Sequence, residues 1–450
     1  MENRYDVVVI GGGVAGLATG ALLAKAGKRV AVLEKGNQIG GRAYTYVDQG
    51  FVLNYGPHGM YRPQSGLLAD LLKRLEKPLI AAPVPAPRKA YFSLEGRWGA
   101  IGTMPQDILT TSLFPFGSRL RIVPLMATIR FTKVEKLPPE LTLGEWLDEK
   151  VSDPALREFA VALATINSYT RPARDLSARF LLRHLQRTMF EKDYVGYMSG
   201  GWKTMYGAFE SALTEHGGEI VTGTGVERLI VEDGRVVAAL ATGQRYEAGA
   251  FVLTLPPQDA PDVVDEGTPL RDELERWRGM EEVRAVCIDL GFSRRLRTDL
   301  TLVYDVADDL YFSLHSEVTP DLAPEGGQLL HAMAYLSPEE ASDESASGGR
   351  DARQATLIAG LDKYFAGWRD ATVVQRTLPN ARVSPARQTP QQQGAARMPA
   401  RSSTATNLYF AGDARDLPYN LSEISLASAM EVADLIAQEV PVAKQAAAVG

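Results

Sequence analysis

The stretch Tyr5-Asp6-Val7-Val8-Val9-Ile10-Gly11-Gly12-Gly13-Val14-Ala15-Gly16 constrains this chain more than any other. An apolar run of strand type, Asp6 to Ile10, enters a turn with glycines at 11, 13 and 16. A helix of small and apolar residues (Leu17, Ala18, Ala21, Leu22, Leu23, Ala24) follows and ends at Gly27. A second β run, Arg29 to Leu33, then delivers Glu34, 23 positions after Gly11. Strand, glycine turn, helix, strand and acid in this order form the βαβ dinucleotide fingerprint in the context it requires. Gly11 allows the tight turn, Gly13 lets backbone approach a pyrophosphate, and Gly16 lets helix and strand pack closely. The helix N-terminus offers unpaired N–H groups and a positive dipole end to phosphates. Glu34 can accept hydrogen bonds from ribose hydroxyls.

Beyond the second strand, Gly40-Gly41-Arg42 combines flexible backbone with a guanidinium fork suited to binding the same pyrophosphate bidentately. Taken alone, Arg42 would read as a surface arginine. Residues 51–59 form a β run ending in the turn Asn54-Tyr55-Gly56-Pro57-His58-Gly59.

These features resemble the FAD-binding flavoproteins that include phytoene desaturases, retinol saturase, protoporphyrinogen oxidase and monoamine oxidase. The segment from Asn54 to His58 is most similar to the desaturase-like branch, where the equivalent turn lies close to the flavin. The resemblance implies an FAD site drawing on Gly11, Gly13, Val14, Ala15, Gly16, Glu34, Lys35, Gly40, Gly41, Arg42, Tyr55, Gly56, Pro57 and His58. It implies that Val226 meets the adenine through its backbone, and that Gly412, Asp413, Glu423 and Ile424 close the site. Gly412 permits close backbone approach, and Asp413 is an acceptor for a ribityl hydroxyl. Asn420-Leu421-Ser422-Glu423 has capping-box spacing before a helix expected from Leu421 to about Glu439. Its positive end would favour negative charge at the flavin N1–C2=O edge.

The expected fold is α/β. A Rossmann-like FAD-binding domain (1–66, 200–257 and 404–442) is interleaved with a mixed-sheet and helical substrate domain (67–199 and 258–403).

The net charge of −7 argues against nucleic acid as a general partner. The single cysteine, Cys287, excludes an internal disulfide and reads as a buried structural thiol. The five histidines show no metal-site spacing, so no metal is expected. No apolar stretch reaches the roughly 18 residues that span a bilayer. The N-terminus enters a strand without a signal-peptide pattern, so the expected location is cytoplasmic. Residues 108–136 mix apolar side chains with Arg119, Arg121, Arg130, Lys133 and Lys136, with Glu135 the only acid. Such a stretch either docks peripherally on the inner face of an anionic membrane or is an ordinary helix with solvated arginines. Arg179, Arg183 and Arg187 recur every fourth residue and read as a solvated helix face. Residues 337–353 are polar and glycine-containing, which reads as a surface loop.

A second complete GxGxxG is absent, so no separate nicotinamide domain is expected. Electrons should come from an organic substrate and leave to oxygen, a quinone or another acceptor. His58 is the one candidate acid or base, with backbone hydrogen bonding as its alternative role. Tyr55 and Tyr419 are either pocket or packing residues. The leading expectation is an FAD-dependent oxidoreductase that desaturates or oxidises a small apolar substrate such as a polyene. Amine oxidation and redox-neutral isomerisation are alternatives on the same fold. A flavin-free binding protein of the GDP-dissociation-inhibitor type is the alternative from another class.

Overall fold

The computed structural model describes residues 3–440, except 87–88, 102–108, 190, 192 and 343–346. The fingerprint strand Asn3–Ile10 lies between Val30–Leu33 and Gln244–Leu253, parallel to both. Strand side chains alternate between faces. Val7 and Val9 therefore join Leu17, Ala21, Phe209, Leu213 and Leu426 on one side. Val8 and Ile10 join Leu229, Phe251 and Trp277 on the other. A strand covered on both faces must be apolar throughout, which is why four consecutive β-branched residues stand here. The sheet runs 226–232, 235–241, 244–253, 3–10, 30–33, 219–221, with Leu408–Phe410 pairing parallel to the end of Gln244–Leu253.

The helix Val14–Lys25 is buried from Ala15 to Ala24 and packs against Lys203–Glu215 and Ser422–Glu439. Its small residues are a geometric need. A Cβ on Gly16 would lie 1.9 Å from the Gly11 carbonyl oxygen, and one on Gly20 would lie 2.7 Å from Leu213 and 2.9 Å from Val32.

A second seven-stranded sheet runs 372–384, 283–292, 328–335, 310–313, 302–305, 90–94, 97–101. Its neighbours are antiparallel except 302–305 with 90–94, so it is mixed, as expected. One face, with Ala285, Cys287, Tyr311, Met333 and Tyr335, packs on the helical region containing Phe114, Trp146 and Leu181. The opposite face, with Val286, Ile288 and Phe312, packs on Leu357 and Leu361 of the helix Ser347–Tyr364.

Two sequence readings need correction. Residues 337–353 are not one loop: helices Pro338–Ser342 and Ser347–Tyr364 occupy most of them, the second anchored by its buried apolar half. Arg179, Arg183 and Arg187, on the helix Ala178–Thr188, do not form a merely solvated face. Arg179 donates to the Leu137 and Glu135 carbonyls, Arg183 approaches Glu135 at 3.5 Å, and Arg187 donates to Glu423 at 2.6 Å. Among the described residues, no helix is long and apolar enough to cross a membrane.

Candidate functional site

The fingerprint turn is held by short backbone bonds. Gly11 N–H donates to Leu33 O at 2.8 Å, and Gly40 N–H donates to Gly12 O at 2.8 Å, which brings the second glycine pair beside the first. Gly11 and Gly40 both have φ of +108°, a conformation open to glycine. Helix Val14–Lys25 starts at Gly13 with no side-chain cap. A Cβ on Gly13 would meet nothing within 4 Å, so this backbone faces open space. Both oxygens of the Glu34 carboxylate accept backbone N–H bonds, from Gly12 and from Gly36, each at 2.7 Å.

These groups border one cavity of about 830 Å³. Gly11, Gly13, Val14, Ala15, Glu34, Lys35 and Val226 line it, together with Gly40, Gly41, Arg42, Gly412 and Asp413. Tyr55, Pro57 and His58 continue the wall toward Tyr169, Trp202, Cys287, Met333, Leu378 and Ala381. Gly16 and Gly56 stand behind the lining. Gly16 packs on the Gly11 carbonyl, and a Cβ on Gly56 (φ +82°) would lie 3.2 Å from Cys287 Sγ.

Several side chains expected around the cofactor have protein partners of their own. Arg42 spends its fork on Asp413, with bonds of 2.8 and 2.5 Å, and donates again to Val383 O. The planar match of guanidinium and carboxylate pairs these two residues, and both line the cavity. Glu423 and Ile424 are buried and off the cavity wall, while Leu421, Ser422 and Ser425 line it. The capping box is not formed. The helix begins at Ser422, and Asn420 Nδ2 donates instead to Asn167 O at 2.6 Å. Tyr419 lies under the Arg187 guanidinium at 4.4 Å from its ring centre, so it does not reach the wall.

His58 is held by its neighbours. Its ring meets Trp202 edge-on at 4.6 Å, and Nδ1 lies 2.9 Å from Gly56 O. A carbonyl only accepts, so Nδ1 carries the proton and Nε2 the lone pair. Burial lowers the His58 pKa to about 4, with the Gly56 bond offsetting part of the effect, so the ring is neutral at pH 7. Beneath the turn, Asp289 is fully buried and bonded to His331 Nδ1 at 2.5 Å and to Arg376 Nε at 2.9 Å. Burial alone would raise the Asp289 pKa, but His331 and Arg376 reverse the direction and hold it below its ordinary value. Arg376 also donates to Asn54 O and covers the Tyr55 ring at 4.7 Å, which fastens the turn to the second sheet.

The residues fit FAD. The open backbone at Gly13 and Gly412 leaves room for a close ligand, Glu34 keeps unused lone pairs for ribose, and a neutral wall continues past His58. Comparison with known proteins agrees. The model of the flavin-containing amine oxidoreductase family matches residues 14–437. The chain belongs to that family. The family is one of flavin-containing oxidoreductases.

Among curated relatives, it is 24% identical over 394 residues to the chloroplastic prolycopene isomerase of Arabidopsis thaliana, covering 75% of this chain and 64% of that one. It is 21% identical over 380 residues to the 4,4'-diapolycopen-4-al dehydrogenase of Metabacillus indicus, covering 73% and 74%. The chain spans less than two thirds of the length of the plant relatives it matches. An oxidoreductase from Methanosarcina mazei shares the fold, with a TM-score of 0.77 at 20% identity, over 96% of this chain and 100% of that one.

Cys287, Met333, Tyr169, Leu378 and Ala381 were not singled out as wall residues from sequence. They reach the cavity by strand register and by the end of the helix Pro154–Ser168, and nothing local to them signals it.

Proposed function

We propose that this protein removes hydride from a C–H bond of an apolar organic substrate of the polyene or isoprenoid class. The observation that carries the reading is the group Tyr169, Trp202, Cys287, Met333, Leu378 and Ala381, uncharged side chains that share the cavity wall with His58. Burial holds the Cys287 thiol protonated, well above its usual pKa. A charge desolvated against these side chains alone would cost several kcal/mol. The relatives named for prolycopene and for 4,4'-diapolycopen-4-al support the polyene class.

FAD held in the cavity would supply the acceptor for a substrate hydride, which carries both electrons. The chain's own groups bind and orient. Glu34 and the bare glycine backbone hold the dinucleotide, and the tyrosine and aliphatic wall excludes water and aligns a linear apolar chain. Desaturation would also release a proton from the neighbouring carbon, and His58 on the cavity wall is the candidate group to receive it. Amine oxidation is less favoured, since Tyr419, the one aromatic residue in 413–428, is turned to Arg187.

The test is anaerobic mixing of the FAD-loaded protein with a panel of polyenes, amines and porphyrinogens while the flavin bands are watched. Bleaching by a polyene is expected. Bleaching by amines alone would overturn the substrate class.

A further inference from the structure

Among the described residues ten large apolar side chains are exposed, and five of them fall between positions 109 and 131: Leu109, Phe116, Leu120, Val123 and Phe131. That clustering separates them from the scattered exposed apolar residues found on any soluble protein. Four lie on one helix, Phe116–Phe131, at spacings of four, three and eight residues, with exposed Ala127 filling the longest gap. They form one stripe. Phe116 and Phe131, at its two ends, are 72% and 79% exposed. The opposite side of the helix is already used, with Ile122 and Ile129 buried and Leu125 and Met126 packed against the core. A helix that is apolar on both sides needs a second apolar environment beyond its own core.

The charge around the stripe indicates which environment. Arg119, Arg121, Arg130, Lys133 and Lys136 flank it, with Glu135 the only acid, on a protein whose net charge is −7. Arg121, Arg130, Lys133 and Lys136 are exposed, and Arg121 also pairs with Asp153 at 3.0 Å. A second copy docked here across a two-fold axis would bring two basic rims together. An anionic bilayer surface meets both demands, taking the stripe among its acyl chains and the cations among its headgroups.

We propose that the helix Phe116–Phe131 docks this protein on the surface of an anionic lipid bilayer, lying flat with Phe116, Leu120, Val123 and Phe131 inserted. The far end of this helix is tied toward the cavity. Gln186 Nε2 donates to the Ile129 and Thr132 carbonyls at 2.7 and 2.8 Å, and the next residue, Arg187, donates to Pro418 O and Glu423 beside the wall residues Leu421 and Ser422. The docked face is one helix away from the site. The docking goes beyond the proposed reaction and does not rest on it.

The test is co-sedimentation of the full-length, FAD-loaded protein with phosphatidylcholine vesicles and with vesicles that also contain phosphatidylglycerol. Binding to the mixed vesicles is expected, stronger than to phosphatidylcholine alone and weakened by salt. Phe116→Ser with Phe131→Ser should weaken it roughly tenfold or more while the flavin spectrum and thermal midpoint stay unchanged. Lys133→Glu with Lys136→Glu should weaken the phosphatidylglycerol-dependent part. The proposal is overturned if the wild-type protein stays in the supernatant at low salt, or if the Phe pair can be removed without effect. It is equally overturned if the protein is a dimer that this pair converts to monomer. Each readout is independent of substrate turnover, so an error in the reaction assigned above would not disturb it.

Discussion

Replacing Glu34 by Gln separates the two tasks assigned to that carboxylate. Its oxygens each accept a backbone N–H at 2.7 Å, one from Gly12 in the fingerprint turn and one from Gly36 after the second strand. A carboxylate can accept on both sides, whereas an amide has one acceptor oxygen and an NH2 that only donates. Whichever way the substituted amide turns, its NH2 opposes one of the two N–H groups. The loss is one bond to a charged group, about 1.5–3 kcal/mol, and it falls on the protein without cofactor. The second task is acceptance of a ribose hydroxyl. Exchange of a charged for a neutral acceptor there costs about 1.4 kcal/mol, a roughly tenfold weaker FAD dissociation constant. Thermal unfolding of the apoprotein reads the first effect, and titration of apoprotein with FAD by flavin fluorescence reads the second. A Glu34→Gln apoprotein as stable as wild type would refute the loop-clamping argument. Equal FAD affinity would refute the ribose assignment, even if stability had fallen.

Three further outcomes follow from the geometry. Gly16→Ala places a methyl 1.9 Å from the Gly11 carbonyl, between two backbones that cannot yield separately, and should cost about 3 kcal/mol or more. Gly13→Ala meets no protein atom, so it should leave the apoprotein midpoint unchanged yet abolish flavin retention; equal behaviour of the two variants would contradict the cradle described here. Burial lowers the pKa of His58 to about 4 and of His184 to about 3, against 6.5 for the unfolded chain. The unfolded state therefore binds more protons below about pH 6.5, stability is lost as pH falls, and each ring accounts for about 2 kcal/mol at pH 5. A thermal midpoint that stays flat from pH 7 to 5 would exclude this. Arg187→Leu strips Glu423, 1% exposed, of its charged partner and should cost about 3–5 kcal/mol, most of it restored by adding Glu423→Gln. Equal midpoints for the single and double variants would show that the pair is not what holds the carboxylate.

How much of this could be read from sequence depended on distance along the chain. The βαβ unit was legible because its period, its glycines and its acid all lie between Asn3 and Glu34 and each has a local reason. The α/β class with a mixed second sheet followed from the same kind of local pattern. What the sequence left unread lies where the deciding partner is remote. Arg42 and Asp413 are 371 positions apart, and neither position signals that they pair. Arg187 looked like part of a solvated face because Glu423 is 236 positions away. Asn420 had the spacing of a cap, but Asn167 claims its side chain from 253 positions off. The wall residues Cys287 and Met333 face each other across two strands, a register that only the assembled sheet defines. The polar opening of Ser347–Tyr364 hid a helix whose stability comes from burying Leu357 and Leu361.

The pairing of Val7 with Ala250 and Ile10 with Leu253 also sets a schedule for the newborn chain. The strand Asn3–Ile10 finds Val30–Leu33 almost at once, but its other edge stays open until residue 253 has left the ribosome. At about 5–20 residues per second the wait is about 12–50 s. Through that interval the apolar run from Val7 to Ile10 offers unpaired N–H and C=O groups to any passing strand. The same strand that organises the cofactor site thus spends much of synthesis as an open edge that a chaperone would shield.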